Sequence, residues 1–294
     1  MTGRSRGQRV AAALAFALSM AVVASGCGGD KKDVSRPTAR DPGPIHVHGL
    51  GINPRDGALF IATHTGLFRA APGETKATRV GGRHQDTMGF TMVGPDRFLG
   101  SGHPDPRESL PPFLGLIEST DAGRTWRAVS QQGESDFHVL EAAGSRVYGF
   151  GSNWETRQAQ FLTSADAGRS WEERQVPEPL VSLALAPGDP DRLVASGESA
   201  LYESPDGGRR WRKLTDSAGL VAWPAAGRMY LIGADGGVQV SRDSGRRWEA
   251  VGQVGGQPGA FEAEGAEDLY AALHDGTVKR SADGGRSWRV RSTP

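Results

Sequence analysis

The phrase Ser-x-Asp-x-Gly-x-x-Trp occurs five times in this chain, and its spacing restricts the possible folds more than any other feature of the sequence. Neighbouring copies begin 37 to 45 residues apart. A repeat of that length is typical of propellers and solenoids, in which each repeat forms one structural unit. The five copies are Ser119–Trp126, Ser164–Trp171, Ser204–Trp211, Ser241–Trp248 and Ser281–Trp288.

Each residue type of the phrase has a role in a tight hairpin turn. An aspartate at the start of a turn can accept hydrogen bonds from the backbone N–H groups that follow it. The glycine supplies the positive φ that a sharp reversal needs, and the tryptophan covers the turn with a large apolar side chain. We therefore assign a structural role, and no catalytic role, to Asp121, Asp166, Asp206, Asp243 and Asp283.

The same order of strands and turns recurs around every copy, and it occurs once more without the phrase, between about Ile45 and Arg79. Six units of about 42 residues, each with four short strands, predict an all-β fold, a six-bladed β-propeller over residues 45–294. A seven-bladed ring is the alternative if the closure is unusual. A β-sandwich explains the repeat less well because its core has no rotational symmetry.

The phrase resembles the Asp-box, or BNR repeat, of sialidases, sortilin-type receptors and photosystem assembly factors. A more specific resemblance covers residues 45–138, through stretches such as His46-Val-His-Gly-Leu-Gly-Ile-Asn and Ser101-Gly-His-Pro. It is to exported bacterial lipoproteins that carry glycosyl-hydrolase or BNR-repeat names. The two resemblances imply a propeller fold and export from the cytoplasm, and they imply no particular reaction.

The first 26 residues have the pattern of a secretion signal. Three arginines precede an apolar run from Val10 to Ala24, and these 26 residues contain no acidic residue. The run is short for a membrane span. Small residues then lead to Cys27, the only cysteine of the chain, as in a bacterial lipoprotein signal. That resemblance implies cleavage before Cys27 and a lipid anchor on it, so we expect an extracytoplasmic protein attached to the cell membrane. An ordinary secretory signal is the alternative.

Residues 27–44 are polar and rich in glycine and proline, as in a flexible tether. Cleavage of the signal would remove 3 of the 34 basic residues, leaving 31 against 34 acidic ones and a net charge of −3. A nucleic-acid partner is therefore not expected. A single cysteine excludes an intramolecular disulfide, so the stability of the domain must come from burial.

All seven histidines are predicted to lie near one end of the propeller. In a four-stranded meander the repeated turns lie at the same end as the turns between first and second strands. Residues that begin first strands or end second strands therefore lie at the opposite end. The side chains there that can bind metal are His46, His48, His64, His84, Asp86, Met88, His103, Asp136, His138 and His274.

The rotation of the blades makes His48, Met88 and His138 equivalent positions around the axis. Histidine with methionine favours copper, whereas histidine with aspartate alone suits zinc or nickel. The sequence therefore predicts a transition-metal site, for Cu or Zn, at the channel mouth. Its predicted ligands are His46, His48, Met88, His103 and His138, with Asp86, Asp136, His64 and His274 nearby. A solvated rim of hydrogen-bonded side chains, or a site for an organic ligand, is the alternative.

Two loops at the same end are further candidates for ligand contact. The loop of residues 103–113 is long and stiffened by prolines, so it could cover a pocket as a lid. Trp154 lies on the matching loop of the third blade, outside the repeated phrase. Its side chain would either bind a sugar or a partner, or pack under the neighbouring loop.

The sequence leaves three functions open. The first is binding of a small ligand, a metal ion or a protein at the histidine-rich face of a lipid-anchored propeller. The second is a sialidase-like glycosidase, although no Arg-Ile-Pro motif occurs and no nucleophile or carboxylate pair can be identified. The four tyrosines lie within apolar strand patterns: Tyr148, Tyr202, Tyr230 and Tyr270. The third is an extracytoplasmic assembly or scaffold factor. No catalytic residue can be assigned.

Overall fold

A computed structural model describes residues 41–294, which form 24 β-strands arranged in six sheets. Every sheet contains four consecutive antiparallel strands, so the six-bladed β-propeller predicted from the repeat spacing is confirmed. Within residues 41–294, no helix has the length and apolar character needed to cross a membrane. The predicted signal, Cys27 and most of the predicted tether lie outside the described residues.

The six blades follow one another along the chain, and each consists of four successive strands. Blades one and two contain β1 (Val47–Ile52), β2 (Leu59–Thr63), β3 (Gly66–Ala70), β4 (Thr78–Arg79), β5 (Asp86–Gly94), β6 (Arg97–His103), β7 (Leu116–Ser119) and β8 (Arg127–Ser130). Blades three and four contain β9 (Ser135–Ala143), β10 (Arg146–Asn153), β11 (Ala159–Ser164), β12 (Glu172–Arg174), β13 (Leu180–Ala186), β14 (Asp189–Gly197), β15 (Leu201–Ser204) and β16 (Arg212–Thr215). Blades five and six contain β17 (Leu220–Ala225), β18 (Arg228–Ile232), β19 (Gly237–Ser241), β20 (Glu249–Gln253), β21 (Pro258–Ala263), β22 (Leu269–Leu273), β23 (Val278–Ser281) and β24 (Arg289–Ser292).

The first strand of every blade faces the central channel. Each first strand contacts the first strand of the next blade, and β21 contacts β1, so the ring is closed. Six separate hydrophobic clusters fill the six spaces between neighbouring blades. Their largest members, such as Phe60, Phe98 and Phe161, are fully buried. Burial of these blade faces is the main source of stability, as expected for a domain without a disulfide.

The five copies of the repeated phrase form the turns between third and fourth strands. In blade two, Ser119 Oγ donates a hydrogen bond to Asp121 Oδ1 (2.9 Å) and accepts one from the N–H of Gly123 (2.8 Å). Asp121 Oδ1 also accepts a hydrogen bond from the N–H of Thr125 at 2.9 Å. The other four copies repeat these contacts. A Cβ atom at Gly123, whose φ is 81°, would collide with Leu67 of the preceding blade.

The repeated turns also join neighbouring blades. Each copy places its tryptophan against the hydrophobic cluster that its blade shares with the preceding one. Five of the six interfaces are covered in this way by Trp126, Trp171, Trp211, Trp248 and Trp288. The interface between blades six and one has no such tryptophan among the described residues.

The end of the chain closes that remaining interface. Arg291 donates hydrogen bonds to the backbone carbonyls of Ala70 (3.1 Å) and Ala71 (3.0 Å) in blade one. The backbone N–H of Thr293 donates to the carbonyl of Thr75 at 2.9 Å. Because blade six consists of the last four strands and blade one of the first four, no strand is exchanged between them. The ring is therefore closed by side-chain packing and by these backbone contacts.

Candidate functional site

A one-residue bulge occurs at the same point in most first strands. The pairing of first and second strands skips His48 in blade one, Met88 in blade two and His138 in blade three. Blades four and six have the same bulge at Val181 and Gly259. A bulge redirects a side chain and is common beside functional sites. The backbone thus makes His48, Met88 and His138 structurally equivalent, as the repeat alignment indicates.

Asp86 is the centre of a cluster at this end of the channel, which we call the histidine mouth. Its Oδ2 atom lies 2.8 Å from His64 Nδ1 and 3.3 Å from His103 Nδ1. Its Oδ1 atom lies 3.8 Å from His48 Nε2. One carboxylate therefore joins side chains from the ends of blades one and two.

A second carboxylate extends the cluster into blade three. Asp136 Oδ2 lies 2.9 Å from His138 Nε2 and 3.4 Å from His103 Nε2. His103 consequently lies between the two carboxylates, with Nδ1 directed at Asp86 and Nε2 at Asp136. The structure brings six of the predicted site residues into one connected group.

Blade one contributes three histidines that pack on each other. The ring of His64 lies 4.3 Å from that of His48 and 5.3 Å from that of His46, measured between centroids. His46 has a left-handed backbone with φ of 52°, a conformation that costs energy for a residue other than glycine. The backbone before β1 is thus held in an unfavourable conformation at the point where the histidines meet.

The charge balance of the histidine mouth depends on imidazoles. Among the described residues, the only basic side chains within 4.0 Å of the carboxylates of Asp86 and Asp136 are histidines. The side chain of Asp136 is 4% exposed. A buried carboxylate needs a compensating cation or several hydrogen bonds, and neither arginine nor lysine supplies one here.

The neighbours of each group set its protonation. Burial, followed by the charge of His64, lowers the pKa of His48 to about 4, so His48 is neutral at pH 7. Burial opposes ionisation of Asp86, but hydrogen bonds from His103 and His64 outweigh it and lower its pKa. The hydrogen bond to Asp86 raises the pKa of His103. A neutral imidazole and an ionised carboxylate are the forms that bind a metal ion.

Three of these residues are close enough together to hold a metal ion after a small adjustment. His48, His64 and Asp86 each offer a ligand atom, and these atoms lie within 4.8 Å of one another. His48 Nε2 and Asp86 Oδ1 are buried and have no hydrogen-bond partner among residues 41–294. Their separation of 3.8 Å is too long for a hydrogen bond. Two ligands of one zinc ion, each bound at about 2.0–2.2 Å, can lie this far apart.

The remaining predicted residues occupy more peripheral positions. Met88 is half-buried at its bulge, and His46 and His274 are exposed. His274 lies beside Gly259 of blade six. His84 is exposed, and its backbone N–H donates to Asp105 Oδ2 at 2.7 Å. The sequence placed His64 only near the site, whereas the geometry makes it a central member.

The loop after His103 packs beside this cluster. Phe113 lies 5.7 Å from the ring of His103 and 5.2 Å from the ring of Trp154. The Arg157 guanidinium covers the Trp154 ring at 3.9 Å from its centroid. Trp154 therefore packs against the neighbouring loop and is still 39% exposed. Leu110 and Val181 add exposed apolar surface at the same end of the propeller.

The opposite end of the channel differs from the histidine mouth. The far ends of the six first strands enclose a cavity of about 370 Å³, which we call the glutamate mouth. Its described lining includes Glu141 and Glu262 and no basic residue. Burial raises the pKa of Glu262 to about 7. Burial, followed by the charge of Glu262, raises the pKa of Glu141 well above its usual value.

Comparison with known families and sequences gives one partial match. The Sortilin-Vps10 family model, described as sortilin, neurotensin receptor 3, matches residues 115–235. That range contains three copies of the repeated phrase. A search of curated proteins finds no match.

Several solved structures are similar to this chain in fold. The GH74 enzyme of Niastella koreensis has a TM-score of 0.61 at 14% identity, and the match covers 84% of this chain and 45% of that enzyme. A luciferin-regenerating enzyme has a TM-score of 0.59 at 11% identity, covering 85% of this chain and 94% of the enzyme. YCF48 bound to D1 peptide has a TM-score of 0.53 at 13% identity, covering 85% and 83%. At these identities the likeness supports the β-propeller fold alone.

Proposed function

We propose that this protein is an exported, lipid-anchored β-propeller that binds a divalent transition metal at its histidine mouth. One observation supports the metal site in particular. His48 Nε2 and Asp86 Oδ1 are buried, have no hydrogen-bond partner among the described residues and lie 3.8 Å apart, with His64 beside them. Export and the anchor rest on the signal-like sequence that ends at Cys27.

The donor set favours zinc or nickel in this position. His48, His64 and Asp86 supply two imidazole nitrogens and one carboxylate oxygen, a set that both metals accept. Three protein ligands leave a fourth position of a tetrahedral ion for water or a small ligand. His103 supports the site from outside, because its hydrogen bond to Asp86 orients the carboxylate. The proposed activity is therefore metal-dependent binding of a ligand at the channel mouth.

Metal analysis of the purified protein tests this proposal. After loading with zinc and exhaustive dialysis, we expect about one zinc ion per chain by plasma mass spectrometry, and His64→Ala is expected to lose it. His84→Ala is the matched control, since His84 is exposed and lies outside the connected cluster. Absence of stoichiometric metal in the wild type after loading with zinc, and again after loading with nickel, would contradict the proposal. Full retention of zinc in a folded His64→Ala variant would contradict it as well.

A protein partner is the second candidate, and one observation favours it. Leu110, Trp154 and Val181 are three of the four exposed large hydrophobic residues of the described chain, and all belong to the end that holds the histidine mouth. A structurally similar protein, YCF48, has been solved with a bound peptide. A pull-down from a membrane extract, with and without chelator, would distinguish metal-dependent from metal-independent capture.

A sialidase-like activity receives less support. Such an enzyme needs an accessible tyrosine nucleophile, and Tyr148, Tyr230 and Tyr270 are buried. Tyr202 is half-buried in β15 on the third strand of its blade, away from the channel. Purified protein is expected to leave sialosides and other glycosides unchanged, and turnover above a denatured-protein blank would reverse this assignment.

A further inference from the structure

The proposed metal ligands have a defined place in the blade pattern. His48 is the bulge residue of β1, and His64 directly follows Thr63, which pairs with Val47 at the end of β2. Asp86 is the first residue of the first strand in the next blade. The site is therefore built from the bulge of one blade, the end of its second strand and the start of the following blade.

Rotation by one blade carries this pattern onto a second set of side chains. The bulge of blade two is Met88, and Asp86 pairs with His103 at the end of its second strand. In blade three, Asp136 lies close to the start of β9 and pairs with Ser152. This pairing is equivalent to the pairing of Asp86 with His103 in blade two. One blade further around the ring, Met88 therefore takes the position of His48 and His103 that of His64. Asp136 takes the position of Asp86.

Asp136 shows that the second position also has an unsatisfied anionic group. Its side chain is 4% exposed, and its Oδ1 atom is buried without a hydrogen-bond partner among the described residues. Its Oδ2 atom is near two imidazoles, His138 Nε2 at 2.9 Å and His103 Nε2 at 3.4 Å. Among the described residues, His103, Asp136 and His138 do not bring three ligand atoms within 4.8 Å of one another, so a cation beside Asp136 requires the rings to turn. Both histidine side chains are about half exposed, at 47% and 40%, which leaves room for that rotation.

We propose that His103, Asp136 and His138, together with the thioether of Met88, form a second metal site that takes copper. Methionine takes the place that histidine holds in the first site and softens the donor set. A thioether favours Cu(I), and the two imidazoles also accept Cu(II). His103 would bind this ion through Nε2 while Nδ1 stays hydrogen-bonded to Asp86, a ligand of the first site. The histidine mouth would then hold two different ions, joined through one imidazole.

Sequential loading tests the second site separately from the first. Chelator-treated protein receives one equivalent of zinc and then a single equivalent of copper(II), because excess copper(II) would compete for any imidazole–carboxylate site. Bound metals are counted after dialysis. We expect one zinc and one copper per chain, with nitrogen hyperfine structure in the copper electron paramagnetic resonance spectrum. His138→Ala is expected to lose the copper and keep the zinc, whereas His64→Ala is expected to lose the zinc and keep the copper.

Met88→Leu provides the most specific test because leucine preserves the size and apolar character of the side chain. Its copper affinity in a competition titration with a coloured chelator is expected to fall about tenfold, with zinc stoichiometry unchanged. Zinc binding without any copper would overturn this inference and leave the proposed function intact. Copper affinity unchanged in both Met88→Leu and His138→Ala would equally overturn it.

Discussion

The two mouths of the central channel contain the same kind of acidic group in opposite electrostatic surroundings. At the histidine mouth Asp86 is hydrogen-bonded to His64 and His103, and its pKa is lowered. At the glutamate mouth Glu141 and Glu262 have no basic residue in the described lining, and their pKa values are raised. The first mouth keeps an anion at neutral pH, whereas the second tends to neutralise its own acids by protonation.

This difference indicates how function is added to a repeated scaffold. All six blades supply the same strands, but only blades one to three place imidazoles beside a carboxylate at the start of the channel. At the equivalent bulges, blades four and six have Val181 and Gly259, which offer no ligand atom. The proposed metal site thus depends on a few side chains at one mouth, and the fold depends on the repeated turns and on the interfaces between all blades.

The largest expected effect is the loss of metal on removing the charge of Asp86. Asp86→Asn keeps the shape of the side chain but removes the anion that both His64 and His103 contact. We expect zinc affinity to fall by at least about 100-fold in a chelator competition titration. Glu141→Gln at the glutamate mouth is the matched control and is expected to bind zinc like the wild type. If Asp86→Asn bound zinc within a few-fold of the wild-type affinity, the assignment of the metal to the histidine mouth would be contradicted.

Metal addition should stabilise the protein through the histidine mouth. Zinc at a free concentration 100 times its dissociation constant is expected to raise the free energy of unfolding by about 2.7 kcal/mol. Chemical denaturation with and without EDTA measures the gain. The gain is expected to disappear in His48→Ala and to persist in His274→Ala, because His274 lies beside Gly259, outside the connected cluster. If zinc stabilised His48→Ala and His274→Ala equally, the metal would have to bind outside the proposed site.

A smaller effect is expected at the glutamate mouth, and it depends on pH. Glu262 has a pKa of about 7 in the folded protein against 4.5 as its ordinary value. Between these values the folded state binds more protons than the unfolded state, so stability falls as the pH rises from about 4.5 to 7.

The substitution Glu262→Gln is expected to remove this loss of stability at higher pH. Because Glu262 is half-buried, we expect the variant to be more stable than the wild type by about 1–2 kcal/mol at pH 8, with a smaller difference at pH 5. Urea unfolding at the two pH values measures it. Glu155→Gln, at an exposed position outside this cavity, is the control and is expected to keep the pH dependence of the wild type. An equal difference at pH 5 and pH 8 would contradict the raised pKa.

The smallest expected effect concerns the repeated turns, which act on stability alone. Asp206 Oδ1 accepts hydrogen bonds from Ser204 Oγ and from the N–H of Arg210. Asp206→Ala is expected to lower the free energy of unfolding by about 1 kcal/mol and to leave zinc binding unchanged. Asp216→Ala, at an exposed position outside the repeat, is expected to change neither quantity. Loss of zinc in a folded Asp206→Ala variant would contradict the separation of fold from site.

The fold could be predicted from sequence because the repeated phrase encodes both a turn and an interface. Its serine, aspartate and glycine make the same local hydrogen bonds in every copy, and these need no knowledge of distant residues. Closure of the ring could not be predicted in the same way. Closure involves Arg291, whose partners are backbone carbonyls more than 200 residues away, and no side-chain pattern specifies such contacts.

The site was only partly accessible from sequence, for a related physical reason. Strand order is enough to predict at which end of the propeller the histidines lie. The structure brings His48, His103 and His138 together with Asp86 and Asp136 at that end. The central position of His64 follows from a strand register and a one-residue bulge, which hydrophobic patterning does not reveal. His274 meets the same positional rule but lies beside Gly259, outside the connected cluster.

Anomalous diffraction at the zinc edge from zinc-loaded crystals tests the central claim most directly. We predict a peak at the histidine mouth, within about 2.0–2.2 Å of His48 Nε2, Asp86 Oδ1 and a ring nitrogen of His64. A peak between Glu141 and Glu262, or no ordered zinc in the channel, would contradict it.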